Sequence, residues 1–167
     1  MRLMFLDCIE QLRSSGFSGF YPIRDLMEKG GSELTIDAPG VYCIVRLTDD
    51  EPVFLIKGTG GWFDGKDPND PIEALESKWV DHARILYIGK ASGSLRGRIR
   101  AYMNFGQGKA ANHHGGRHIW QLEDSRELLV CWKFVPGPGR SEELETDMIS
   151  DFADRHEGKL PFANRRR

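Results

Sequence analysis

Two tyrosine tripeptides occur in strand-like segments of the chain, Gly40-Val41-Tyr42 and Tyr87-Ile88-Gly89. A basic residue follows the second tripeptide in the segment Leu95-x-x-Arg98. A positioned phenol can orient or deprotonate a nucleophile, and the planar guanidinium group matches the geometry of phosphate. These residue types together predict a site that handles phosphate. Taken alone, each tyrosine is more typical of an ordinary half-buried strand residue.

The first helical pattern of interest covers residues 94–104. At about 100° per residue, one apolar stripe is formed by Leu95, Ile99, Tyr102 and Met103. Arg98 lies at the edge of this stripe, whereas Arg96 and Arg100 lie on the solvent side. An arginine at the border of an apolar face usually has an anionic partner, because an unpaired buried charge is costly. That partner is either a carboxylate of the protein or a phosphate of a ligand.

The last helical pattern, over residues 141–155, contains one carboxylate within its apolar arc. The arc is formed by Leu144, Met148, Ile149 and Phe152. Glu145 falls inside it, and Glu143 and Asp147 fall outside. A carboxylate in this position is expected to be paired, protonated or metal-bound. Glu145 is therefore the best candidate ligand for Mg²⁺, which binds one or two carboxylates together with water and phosphate. A buried ion pair with Arg98 is the open alternative.

A glycine-rich loop carries the sequence His113-His114-Gly115-Gly116-Arg117-His118. Its spacing disfavours zinc, since two glycines interrupt the histidines and no cysteine stands nearby. Contact with phosphate is the favoured interpretation, through Lys109, Arg117 and one histidine. The spacing does not decide which histidine; we take His114 as the candidate. Arg96, Arg100 and the terminal Arg165-Arg166-Arg167 add local positive charge, and the acidic loop 64–70 is expected on the opposite side.

The composition is that of one ordinary globular domain of 167 residues with a formal net charge of −2. This charge does not by itself indicate a nucleic-acid-binding protein, so local basic clusters must supply the attraction. The cysteines, Cys8, Cys43 and Cys131, are odd in number, and the latter two lie in apolar strand-like runs. Buried free thiols are expected, as in a reducing cytoplasm. No signal peptide or membrane span is predicted.

Hydrophobic periodicity predicts an α+β domain around a three-stranded sheet flanked by helices. Helices are predicted over 3–14, 23–28, 73–83, 94–104 and 141–155, and strands over 40–47, 85–89 and 128–134. The segment 53–56 is expected to pair back on the first strand. Residues 58–71, rich in Gly, Asp and Pro, are expected to form a loop.

Five sequence elements occur in a fixed order over residues 39–164. They are Gly40-Val41-Tyr42, Tyr87-Ile88-Gly89-Lys90-Ala91, Leu95-x-x-Arg98 with Tyr102, Glu145 in Glu-x-x-Met-Ile, and Asn164 after Pro161. In these elements the chain resembles the GIY-YIG nuclease family. The segment 87–102 is similar to the nuclease domain of the bacterial excision-repair protein UvrC, with one extra residue before Leu95. Two departures are a long segment between the tripeptides and a long gap before Asn164.

The resemblance implies a compact, sandwich-like domain with a central three-stranded antiparallel sheet. It would occupy residues 37–167, with a loop insertion at about 57–72 and a helical N-terminal extension over 1–36. The implied activity is endonucleolytic hydrolysis of DNA phosphodiesters with a single Mg²⁺ or Mn²⁺ ion. RNA stays open as a substrate, as does a homodimer. By position in the family's motifs, the implied catalytic residues are Tyr42, Tyr87, Lys90, Arg98, Tyr102, Glu145 and Asn164.

In the mechanism expected from this resemblance, water attacks phosphorus in line, and Tyr42 is the general base, directly or through water. Since a free phenol has a pKa of about 10, a cation must favour its anion. Glu145 would hold the metal, Arg98 would neutralise charge on the phosphoryl oxygens, and Tyr87 would orient the water or phosphate. The alternative is a nucleic-acid-binding module of the same fold without catalysis.

Overall fold

The computed structural model describes residues 9–111, 113 and 115–165. The helices are α1 (Ile9–Ser14), α2 (Ile23–Glu28), α3 (Ile72–Lys78), α4 (Leu95–Gly106) and α5 (Arg140–Arg155), with 3₁₀ turns η1 (Arg117–Gln121) and η2 (Ser125–Glu127). The strands are β1 (Ser18–Pro22), β2 (Gly40–Val45), β3 (Ile85–Ala91) and β4 (Leu129–Phe134). The α+β class is confirmed, but the sheet has four antiparallel strands, in the order β1-β4-β2-β3, instead of three.

The strand that the sequence did not predict is β1, which pairs with β4 at one edge of the sheet. Its register shifts between Gly19 and Tyr21, and Phe20 adopts a φ of 60°. A bulge of this kind interrupts the alternation of side chains from which a strand is recognised. The predicted helical segment 1–36 therefore contributes a strand to the sheet, and α2 packs into the core through Ile23 and Leu26.

The predicted return of segment 53–56 to the first strand is wrong. Phe54 instead forms an isolated bridge with Leu122, outside the named strands. The Leu55 amide donates to the carbonyl of Gln121 at 2.7 Å. A run of four apolar residues does not specify the segment with which it pairs. Here the chain around η1 provides the partners for its backbone hydrogen bonds.

Helices cover both faces of the sheet. On β2, Tyr42 and Ile44 face one apolar cluster that includes residues of α2 and α4. Val41, Cys43 and Val45 face a second cluster that includes residues of α5. The alternation predicted for β2 is thus confirmed, and both faces are buried. Cys43 lies opposite Cys131 in the β2–β4 ladder, and both are buried free thiols as predicted; Cys8 lies outside the described residues.

The start of α4 fixes where Arg98 lies relative to β3. Ser94 caps the helix by accepting the Gly97 amide at 3.1 Å, and the Leu95 and Arg96 amides donate to the carbonyls of Ala38 and Ile36. Because protein acceptors take up these amides, attraction for an anion here comes from side chains.

Among the described residues, no helix is long and apolar enough to cross a membrane.

Candidate active site

Two open cavities, of about 780 and about 670 Å³, lie beside the edge strand β3 and share three lining residues. The shared residues are Tyr87, Lys90 and Glu145. The first cavity extends along α5 to Glu142 and Asn164, and the second extends to Arg98 at the start of α4. We refer to the two together as the β3 cleft. The cleft brings together all the side chains predicted to be catalytic except Tyr102, which lies behind its wall.

Three tyrosines form an aromatic cluster in the wall of this cleft. The ring of Tyr42 lies 6.0 Å from that of Tyr87 and 6.2 Å from that of Tyr102, between centroids. Tyr42 and Tyr102 are fully buried, while Tyr87 keeps 8% of its surface exposed. Of the two tyrosines in the tripeptides, Tyr87 is therefore the one whose side chain reaches the solvent of the cleft.

Gly89 lies directly opposite Tyr42 in the β2–β3 ladder. A Cβ atom at this position would stand 2.5 Å from Cζ of Tyr42. The space beside this glycine is filled by the ring of Tyr42. Gly89 is needed here because the phenol crosses the strand at van der Waals distance.

Burial raises the pKa of each phenol in the cluster. The pKa of Tyr42 is well above its ordinary value, chiefly through desolvation, and the charge of Arg98 lowers it only in part. Desolvation also raises the pKa of Tyr87, to about 12, while an interaction with the Tyr42 hydroxyl and the charge of Arg98 lower it. Nearby cations therefore do not bring either phenol below its ordinary pKa.

Glu145 is half buried on α5, whereas Glu143 and Asp147 are exposed, as the helical pattern predicted. Burial raises the pKa of Glu145 most, Glu142 raises it further, and Lys90 and Arg98 lower it. A partly desolvated carboxylate of this kind is stabilised by a bound cation. The donor chemistry fits Mg²⁺ held through one carboxylate, with water and phosphate completing its coordination.

Within the described residues, no group of three or more His, Cys, Asp or Glu side chains is placed to hold a metal ion. The second carboxylate of the cleft, Glu142, pairs instead with Lys90, at 3.3 Å between Oε1 and Nζ. Both side chains keep solvent access, so the pair is weak and can open for an incoming anion.

Asn164 holds the free edge of β3 through its amide side chain. Its Oδ1 accepts the Ile88 amide at 2.9 Å, and its Nδ2 donates to the Ile88 carbonyl at 2.9 Å. The neighbouring Ala163 amide donates to the carbonyl of Leu86 at 2.8 Å. Asn164 therefore closes an otherwise open strand edge next to Tyr87, which is a structural task at the wall of the cleft.

The basic residues predicted to contact nucleic acid are dispersed. Arg96 pairs with Asp37 at 2.8 Å. Arg100 and Lys109 line a separate groove of about 350 Å³ beside α2. His114 lies outside the described residues, as do Arg166 and Arg167. None of the three described side chains named here lines the β3 cleft, which takes its positive charge from Lys90, Arg98 and Arg165.

Arg117, also predicted to contact nucleic acid, has a side chain only 10% exposed and pairs with Asp70 at 3.0 Å. His118 contacts the same carboxylate. The acidic loop was expected on the side opposite the basic residues, and for Asp70 this is wrong. The ion pair explains why: burying the guanidinium of Arg117 requires an anion, and Asp70 supplies it.

His113 is a residue of this site that the sequence did not identify. It is fully buried, its Nε2 lies 2.7 Å from the Tyr42 hydroxyl, and its ring stacks on Tyr102 with centroids 4.2 Å apart. Burial is the main reason that its pKa falls to about 3. Its partner Tyr42 stands 71 positions away in sequence, so no local pattern could have paired them.

No family model, curated protein or solved structure matches this chain. Any functional conclusion therefore depends on the residues and on their arrangement around the β3 cleft.

Proposed function

We propose that this protein is a Mg²⁺-dependent endonuclease of the GIY-YIG type, which hydrolyses phosphodiester bonds of DNA. The observation that carries the proposal is the convergence of Tyr87, Lys90, Arg98 and Glu145 on one cleft. Tyr87 and Lys90 come from β3 and Arg98 from the next helix, α4, whereas Glu145 comes from the distant helix α5. Strands β2, β3 and β4 would form the three-stranded core of the family, with β1 as an addition at its edge.

The four side chains suit the hydrolysis of a phosphodiester. Glu145 would hold the metal ion, which when bound stabilises charge on the leaving oxygen; Mn²⁺ can replace Mg²⁺ in this role. Arg98 would bind a non-bridging phosphoryl oxygen, for which its planar guanidinium is suited. Lys90 would exchange its weak pairing with Glu142 for the backbone of the substrate.

The burial of Tyr42 favours a modified division of roles between the tyrosines. Tyr87 reaches the cleft whereas Tyr42 is fully buried, so we assign contact with the attacking water to the oxygen of Tyr87. Tyr42 would act on the water through Tyr87. The pKa of Tyr87 leaves little phenolate at neutral pH, so ionisation of Tyr87 depends on the charges present when substrate and metal are bound.

Nicking of supercoiled plasmid in Mg²⁺ tests the proposal. We expect the wild-type protein to nick the plasmid, and Glu145→Gln to lose on the order of 10²-fold or more in rate, since it removes the carboxylate that would bind the metal. Glu143→Gln is the matched control, because Glu143 is exposed on the same helix and does not line the cleft. Equal cutting by the Glu145 variant would refute the assignment.

A catalytically inactive DNA-binding module is the second candidate, and the raised pKa values of Tyr42 and Tyr87 are the observation in its favour. Binding of a labelled duplex distinguishes the two functions. The inactive module binds the duplex and leaves the plasmid intact with either Mg²⁺ or Mn²⁺. The nuclease cuts, and its Glu145→Gln variant still binds the duplex.

A further inference from the structure

The proton arrangement on His113 follows from its two hydrogen bonds. Nδ1 lies 2.8 Å from the carbonyl oxygen of Gly115, which can only accept, so Nδ1 carries a proton. With the ring neutral, Nε2 has no proton and accepts a hydrogen bond. The Tyr42 hydroxyl, 2.7 Å from Nε2, is therefore the donor.

The hydrogen bond to His113 also holds the ring of Tyr42 in place. That ring packs edge-to-face against Tyr87, with centroids 6.0 Å apart. Tyr87 is the tyrosine of the pair that keeps solvent exposure in the cleft. Its position there therefore depends on the position of Tyr42.

We propose that His113 is a positioning residue for hydrolysis: its hydrogen bond fixes the phenol of Tyr42, whose ring in turn holds Tyr87 at the cleft. The inference deepens the proposed function and rests on it. His113 touches neither the metal ligand nor the β3 cleft, and it acts only through Tyr42.

The surrounding packing holds His113 in this geometry. Its ring stacks on Tyr102, whose hydroxyl donates to the carbonyl of Gly116 at 2.7 Å. Gly116 has a φ of +76°, and a Cβ there would stand 2.8 Å from the Tyr102 hydroxyl and 2.9 Å from the ring of Tyr87. The loop thus fits closely over both phenols, and ring stacking together with two hydrogen bonds fixes the imidazole.

The tautomer is tested without any enzymatic assay. Proton–nitrogen correlation NMR spectra of the isotope-labelled full chain report which ring nitrogen of each histidine carries the proton. We expect a neutral His113 protonated at Nδ1, with its signal identified by its loss in His113→Gln. A His113 protonated at Nε2 would overturn the inference, because Tyr42 could not then donate to it.

The positioning role is tested by a double-mutant cycle of plasmid nicking with His113→Leu and Tyr42→Phe. We expect His113→Leu to lower kcat on the order of 10²-fold with KM unchanged, since misplacement of a reacting group costs about this much. In the Tyr42→Phe background the same change should have no further effect on kcat, because the hydroxyl through which His113 acts is gone. Additive losses would show a merely structural role and overturn the inference.

His113→Gln provides the conservative rescue, because its amide oxygen can accept from Tyr42 near the position of Nε2. We expect it to recover most of the kcat lost in His113→Leu. His118→Gln is the matched control for the loss of a buried histidine, and its kcat should stay at the wild-type value. If the wild type nicks and His113→Leu nicks equally well, the inference fails and the nuclease assignment stands. If the wild type does not nick, the nuclease assignment itself fails.

Discussion

Two buried histidines among the described residues, His113 and His118, lie in the same loop, and their surroundings differ. His113 contacts a phenol and a backbone carbonyl beside the β3 cleft. His118 contacts the carboxylate of Asp70, which also pairs with Arg117. Burial lowers the pKa of both imidazoles, to about 3 for His113 and about 4 for His118, so both are neutral at pH 7. The partners of each histidine, and not its burial or its pKa, distinguish the one beside the candidate site from the one that holds a loop.

The contacts around His118 hold the loop 57–72 against the rest of the protein. Besides its contacts with Arg117 and His118, Asp70 binds Gln121 through its backbone: its amide donates to Oε1 of Gln121 at 2.8 Å, and its carbonyl accepts from Nε2 at 2.9 Å. Charged groups on this side are compensated by one another and lie apart from the cleft. We therefore expect substitutions here to affect stability, and substitutions around the β3 cleft to affect activity.

The largest effect is expected at Arg98. Replacement by alanine removes the cation assigned to the phosphoryl oxygens and should lower the nicking rate on the order of 10²–10³-fold. Arg126→Ala removes an exposed arginine outside the cleft and serves as the control. Rates measured on supercoiled plasmid at equal concentrations of folded protein decide the question. A loss shared by both variants would contradict the assignment of activity to the cleft.

A large effect on stability is expected at Asp70. Asp70→Asn leaves the largely buried Arg117 without its anion and should lower the free energy of unfolding by about 2–3 kcal/mol, somewhat less than for a fully buried pair. The nicking rate of the folded variant should not change. Urea unfolding provides the measurement, with Asp64→Asn, an exposed residue of the same loop, as the control. Loss of activity without loss of stability would show that Asp70 supports activity instead of stability.

A smaller effect is expected at Asn164, which joins the C-terminal segment to β3. Asn164→Ala removes both hydrogen bonds to the backbone of Ile88 and should lower the free energy of unfolding by about 2 kcal/mol. The nicking rate should fall with it, because the edge of the strand that carries Tyr87 and Lys90 loses its support. Hydrogen exchange at the Ile88 amide measures the change directly. Unaltered protection of that amide would contradict the structural role of Asn164.

The two buried histidines should make the stability of the protein depend on pH. Their pKa values are lower in the folded protein than the ordinary 6.5, so the unfolded chain binds more protons as the pH falls. Their stabilisation is present above pH 6.5 and is lost towards pH 4, at up to about 1.4 kcal/mol per pH unit for each histidine. Urea unfolding at pH 7, 6 and 5 measures this slope.

Single substitutions identify which group causes the change in the free energy of unfolding with pH. His113→Leu and His118→Leu should each remove about one histidine's share of the slope. An unchanged slope would show that the replaced imidazole has the same pKa in the folded and unfolded chains. The pKa of Asp70 is lowered, so its stabilisation is lost only as the pH falls below its ordinary 3.8. The raised pKa of Glu145 acts in the opposite direction, since the folded state then binds more protons above pH 4.5.

The sequence by itself determined the faces of the elements. Helical periodicity selected Glu145 from the neighbouring carboxylates and Arg98 from the neighbouring arginines, and alternation in β2 predicted the buried Cys43. A regular helix or strand repeats its side chains at fixed angles, so the pattern states which residues share a face. The bulge in β1 broke that repeat, and the strand was missed.

Only the tertiary structure decided what lies against each face. It placed Tyr42 over Gly89, directed the Tyr42 hydroxyl to His113, and paired Arg117 with Asp70. These contacts join residues far apart in the chain, and the packing of whole elements sets them. Periodicity encodes a face but carries no information about its partner. For this reason the charged residues of the candidate site could be chosen from the sequence, whereas the histidine behind its tyrosines could not.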